Sequence, residues 1–132
     1  MSQEDLKRFR EAVAAFNRRD RGAWLEFYDP GFVNVPPRDW PESAVIQGPE
    51  ATWDFYVASQ EPWEDSTFEV GELIDAGGKV VAEQRAQVRG KGSGAGVAWS
   101  YWHVVTLRNG KAVRSEWFTD RAEALESAGL QP

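Results

Sequence analysis

The order of patterns along the chain predicts an α+β fold in which helices precede an antiparallel meander. Three observations carry this. Apolar residues recur at helical spacing through the N-terminal part. From Thr67 onward the period switches to alternation. Asn109-Gly110 then sits between two alternating runs, and that dipeptide favours the tight turn of a hairpin. Helices segregated from strands in this way define the α+β class.

The elements follow in order. Leu6, Phe9, Val13 and Phe16 share one face of a first helix. Asp20 caps a short second helix carrying Trp24, Leu25 and Tyr28, and Pro30-Gly31 stop it. "FVNV" reads as a short strand joining the same sheet. It leads into "PPRDWPES", residues 36–43, a loop that is either a lid with Trp40 as its plug or an ordinary rigid connection. Pro49 suits the first turn of a third helix, whose buried stripe is Trp53, Tyr56 and Val57. Phe68, Val70 and Ile74 begin the meander, which continues through "VVAEQRAQV", "VAWSYWHVVTL" and "KAVRSEWFT". Asp120 caps a final short helix that Gly129 ends. The glycine-rich "GKGSGAG" lies between two strands and lacks the Gly-Lys-Ser/Thr ending of a phosphate cradle, so it is a hairpin tip.

Composition bounds the function. A chain of 132 residues suits one domain, 1–132, with one core. Seven Trp, seven Phe and three Tyr give few residues a large area with which to line a core or a cavity. The net charge of −6 provides no basic stripe for nucleic acid. The absence of cysteine excludes thiolate chemistry and fits a reducing compartment. The one histidine has no clustered carboxylates, so no metal set is expected. No apolar run spans a bilayer and the charged N-terminus is unlike a signal peptide, so a cytoplasmic location without membrane partners is expected.

Strand alternation sorts the sheet into two faces. One carries Gln84, Ala86, Trp99, Tyr101, His103, Val113, Ser115 and Trp117, which is apolar with a few uncharged polar groups and should face the helices. The other mixes Glu83, Arg85, Arg114 and Glu116 with Trp102, Val104 and Phe118. Aromatics among paired charges suggest a homodimer formed through Trp102, Val104 and Phe118.

The layout resembles the nuclear transport factor 2-like superfamily, particularly its SnoaL-like branch. "VVTLRNGKAVRSEWFTDRAEALESAGL" is similar to that branch's closing hairpin, last strand and terminal helix, and "FYDPGFVNVPP" and "QGPEATWDFY" are similar to earlier signposts. The resemblance implies a cone-shaped, curved sheet of the cystatin-like kind, about three helices against it, and a cavity between them. It does not choose an activity. Alignment with the epoxide-hydrolase branch puts Gln84, Ala86 and Trp117 where an Arg and two Asp should stand, and Phe32 at a Tyr position; only Asn34 matches. Alignment with ketosteroid isomerase puts Ala12 at the Tyr position, Val35 near the base, and Trp102 or His103 at the protonated Asp. Neither orthodox chemistry is expected.

What remains is a small, mostly apolar ligand, bound without a cofactor, in a pocket lined by Tyr28, Asn34, Trp53, Tyr56, Gln84, Trp99, Tyr101, Ser115 and Trp117. His103 stands as a catalytic acid–base for isomerisation, cyclisation or dehydration, as a ligand hydrogen-bonder, or as a core residue bonded to Ser115 or Tyr101. A non-catalytic carrier or dimerising accessory module is the alternative reading.

Overall fold

The computed structural model describes residues 2–40 and 44–132; positions 41–43 of the expected lid loop lie outside the described residues. Helix α1 (Ser2–Asn17) buries Phe9, Ala12, Ala15 and Phe16 along one stripe. Helix α2 (Arg21–Leu25) is capped as expected, with the Asp20 carboxylate accepting from the Ala23 amide at 3.1 Å. It stops before Tyr28, however. Strand β1 (Tyr28–Val35) already begins there and carries Pro30-Gly31 as an irregularity between Tyr28 and Val33. Proline lacks a ladder donor, so it is tolerated where pairing lapses. Strand β2 (Ile46–Gln47) is a two-residue edge that the sequence reading missed. Helix α3 (Pro49–Gln60) has Pro49 in its first turn, as the sequence suggested.

Strands β3 (Trp63–Asp75), β4 (Lys79–Gly90), β5 (Gly96–Arg108) and β6 (Lys111–Phe118) form the meander, and helix α4 (Arg121–Ser127) closes the chain with Asp120 as its cap. The sheet order is β2-β1-β6-β5-β4-β3, so the last strand lies inside the sheet, parallel to β1 and antiparallel to β5. The β5–β6 turn is the expected tight one: Asn109 and Gly110 both take positive φ, 54° and 77°.

Two irregularities change which residues face the helices. Between Val70 and Leu73 the β3–β4 register shifts, so Phe68, Val70 and Leu73 pack inward while Ile74 turns outward. A Cβ on Gly71 would lie 2.3 Å from the Glu83 carboxylate, so a larger residue at this bulge would push the Glu83 and Arg85 side chains aside. A second shift between Thr106 and Leu107 places Ala112, not Val113, opposite Leu107 in the inner core.

The outer face has a different occupant from the one expected. Trp102 and Val104, read as dimer residues, are 9% and 1% exposed beneath Ala124 and Leu125 of α4, with Phe118 packed at the edge. The apolar part of that face is thus covered by the chain's own C-terminal helix, which leaves the charged part open. Among the described residues no helix is long and apolar enough to cross a membrane.

Leu125 is 3% exposed in this outer cluster. Leu125→Ala should therefore destabilise the fold by about 2–4 kcal/mol in chemical unfolding. A change below 0.5 kcal/mol would mean that α4 does not seal Trp102.

Candidate functional site

Between α1, α3 and the inner sheet face lies a chamber of about 230 Å³. Buried residues form its floor: Phe9, Ala12 and Phe16 from α1, Trp24 and Tyr28, Asn34 from β1, and Gln84 and His103 from the sheet. Partly exposed residues ring its mouth: Trp40, Phe55, Ser59, Gln60, Trp63, Trp99 and Tyr101. Trp40 rests edge-on against Tyr101 with ring centroids 5.3 Å apart, so the described part of the 36–43 loop does contribute to the mouth.

The sheet register builds the polar wall. Asn34 is opposite Ser115, which is opposite Val105; Trp117 is opposite His103, which is opposite Ala82; and Tyr101 is opposite Gln84. His103 is therefore inward-facing, flanked diagonally by Gln84 and Ser115. Its ring stacks on Trp117 at 3.8 Å and 11°, with Phe9 tilted against it at 5.8 Å. Its Nε2 is hydrogen-bonded to Ser115 Oγ, and the Gln84 amide nitrogen makes a long 3.5 Å contact to Nδ1. With that amide nitrogen as donor, Nδ1 accepts and Nε2–H donates to Ser115.

The other half of the network centres on Asn34. The Tyr56 hydroxyl donates to Asn34 Oδ1 at 2.5 Å, and Trp117 Nε1–H donates to both Asn34 Oδ1 and Tyr56 Oη at 3.0 Å. An indole N–H only donates, so the atom of Asn34 facing it must be the oxygen. The Asn34 amide nitrogen is consequently left without a partner. So are Gln60 Oε1, Gln84 Oε1 and Trp99 Nε1, all four buried. Buried polar atoms in folded proteins are usually paired, so four on residues around one chamber are unusual.

Electrostatics favour neutral forms. Burial pushes the His103 imidazole down from 6.5 to about 3. Burial also raises the Tyr56 phenol, partly offset by hydrogen bonds with Trp117 and Ser115, and raises Tyr28 well above its usual range. Tyr101, at the mouth, is raised by burial and then by the nearby Asp39 charge. Among the described residues no group of three or more metal-ligating side chains is assembled.

The structure brings most of the expected site residues together. Tyr28, Asn34, Tyr56, Gln84, Trp99, Tyr101, His103 and Trp117 all line the chamber. Two do not. Trp53 is 7% exposed and packs between Phe16 and Trp24 as core, because it projects from α3 toward the first two helices. Ser115 is fully buried behind His103 and reaches the chamber only through it. Sequence reasoning missed Phe55, Trp63 and the α1 floor as lining residues. Trp63 had a readable signal: it belongs to β3 and pairs with Trp99 at 5.9 Å, but a register shift between Trp63 and Asp65 breaks the alternation that would have revealed it.

The His103 environment makes a pH prediction. Its folded value lies below its unfolded one, so the unfolded chain binds a proton that the folded chain refuses between pH 6.5 and about 3. The associated stability is fully present above the unfolded value and is lost as pH falls toward the folded one. Between pH 7 and pH 4.5 this group should cost the wild-type fold about 2–3 kcal/mol. His103→Gln, which keeps a neutral polar side chain without a titrating ring, should lack that share. Denaturant unfolding at both pH values reads the difference, and identical pH dependence in the two proteins would remove the assignment.

Comparison with known proteins places this geometry. A family model described as a SnoaL-like domain matches residues 9–115. A protein from Jannaschia sp., provisionally assigned as a SnoaL-like polyketide cyclase, superposes with a TM-score of 0.77 at 19% identity, covering 99% of this chain and 95% of that one. TerC, co-crystallized with polyporic acid, gives 0.75 at 21% identity over 96% and 98% of the two chains. A nuclear transport factor 2-like protein from Burkholderia thailandensis gives 0.73 at 24% identity over 97% and 98%. At these identities the likeness is one of fold. No curated protein matches the chain significantly.

Proposed function

The chain belongs to the SnoaL-like domain family, and from that premise we propose that it binds a small, mostly apolar molecule in the chamber under its N-terminal helices. The observation that carries this reading is the pairing of an aromatic-lined void with four buried polar atoms, on residues that line it, that have no protein partner. Well-packed interiors leave few such voids, and a void with unpaired polar atoms on its wall is more costly still. A volume of about 230 Å³ sits at the lower end of small-molecule pockets, which run to about 300–1,000 Å³. It suits a ligand of one or two rings. TerC's co-crystal with polyporic acid supports small-ligand binding as a use of this fold.

In this reading His103 is a positioning residue. Both ring nitrogens are engaged and its burial keeps it neutral, so it holds Gln84 and, through Ser115, the Tyr56 side of the wall in register. The competing reading is catalysis, an isomerisation, cyclisation or dehydration with the same imidazole taking a proton. It draws support from the relative assigned to polyketide cyclisation. The two separate on one variant: His103→Gln in a catalyst loses turnover while retaining binding, whereas in a carrier it alters affinity and there is no turnover to lose.

The cytoplasm as location and a homodimer belong to the same proposal. With Trp102 and Val104 under α4, pairing would run over the open part of the outer face around Glu83, Arg85 and Ser100, where Glu83 bridges the other two at 3.2 Å. A monomer in sedimentation at micromolar concentration would remove it.

Filling the void tests ligand binding directly. Ala12 is 4% exposed and lines the chamber floor from α1. Ala12→Leu should leave a folded protein and weaken binding of a one- or two-ring aromatic by at least about tenfold, roughly 1.4 kcal/mol. Calorimetry with the wild-type and variant chains checks it, and an unchanged affinity would place the ligand elsewhere.

A further inference from the structure

The chamber's most informative property is its lack of charge. Among the described residues no Asp, Glu, Lys or Arg lines it, and its one histidine is neutral. The nearest charged groups approach from outside. Asp39 acts on Tyr101 at the mouth and adds a negative potential. Arg19 lies over the Phe16 ring at 4.4 Å, but its guanidinium donates to the Phe16 carbonyl and to Ser66 and takes no part in the lining. The unpartnered atoms are those of neutral groups: donors on Asn34 and Trp99, and acceptors on Gln60 and Gln84.

We propose that the chamber selects the uncharged form of its ligand: a neutral one- or two-ring molecule with a hydroxyl or carbonyl edge, and not the same skeleton bearing an ionised carboxylate. This rests on the ligand-binding reading above and narrows it to a chemical class. An ionised carboxylate entering the chamber would lose its hydration and meet no counter-charge among the described lining residues, whereas a hydroxyl loses less and needs only neutral partners of the kind that Asn34 and Gln84 carry. The net charge of −6 works in the same direction at longer range.

A consequence follows for pH. The titratable groups facing the ligand are His103 from β5, Tyr28 from β1, Tyr56 from α3 and Tyr101 from β5, with Asp39 beside the mouth. Burial lowers the histidine and raises the three tyrosines, so none of these four changes charge between about pH 5 and pH 8. A pH dependence of binding in that range would therefore not come from these four groups and is assigned to the ligand. The apparent affinity for a weak acid is its intrinsic affinity multiplied by its neutral fraction, which drops about tenfold per unit above the acid's pKa.

The test uses 2-naphthol and 2-naphthoic acid, which share one skeleton and differ in charge at neutral pH. Quenching of tryptophan fluorescence reads binding, since Trp24, Trp40, Trp63, Trp99 and Trp117 all line the chamber. At pH 7 the naphthol should bind at least about 30-fold more tightly than the naphthoate. From pH 7 to pH 5 the naphthoate should gain about tenfold per unit while the naphthol changes less than about twofold. Equal affinities at pH 7, or a naphthoate affinity flat with pH, would overturn the charge selection and leave ligand binding standing. Failure of both compounds to bind at either pH would overturn the selection together with the reading on which it rests.

Discussion

An indole N–H can donate a hydrogen bond but never accept one, and that restriction at Trp117 orients the polar wall of this fold. It fixes the oxygen of Asn34, sends the Tyr56 hydroxyl proton the same way, and leaves the Asn34 amide nitrogen without a partner. The same indole forms the stacking surface for His103, whose nitrogens are taken up by Ser115 and Gln84. A single side chain on β6 thus connects β1, α3 and β5 at the place where the sheet would otherwise bury several unsatisfied groups. Such a network stiffens its surroundings only because nearly every member is paired, and the few atoms left over point to one space.

The inner face shows how packing and function compete for the same rings. Phe16 and Trp24 serve the core and the chamber at once, touching Trp53 on one side and lining the void on the other. Trp53 is the residue that packing took entirely. Burial of so much aromatic surface stabilises the helices on the sheet, and the small Ala12 is one of the residues that line the void. The outer face follows the ordinary rule that exposed apolar surface finds a cover, here within the chain.

Much of this was legible from residue order. The switch from helical spacing to alternation gave the α+β class, Asp20 and Asp120 marked helix starts, and Asn109-Gly110 gave the closing hairpin. The inward direction of His103, Tyr101 and Trp117 followed from counting in twos along β5 and β6. The count failed wherever a strand holds an extra residue: Ile74 turned outward beyond Gly71, Ala112 displaced Val113, and Trp63 escaped notice before Asp65. Periodicity also reports which way a residue points, not what meets it. For that reason the burial of Trp102 under α4, and of Trp53 against α1 and α2, needed the three-dimensional arrangement.

The position of β6 between β1 and β5 carries a consequence for how the molecule comes into being. The strand that brings Ser115 and Trp117 is the last of the meander, yet it must insert beside the first, about eighty residues away along the chain. During synthesis the earlier strands wait with their pairing edges open until that segment leaves the ribosome. A nascent chain lacking it would have neither the stacked imidazole nor an oriented Asn34, so the polar wall assembles only with completion of the sheet.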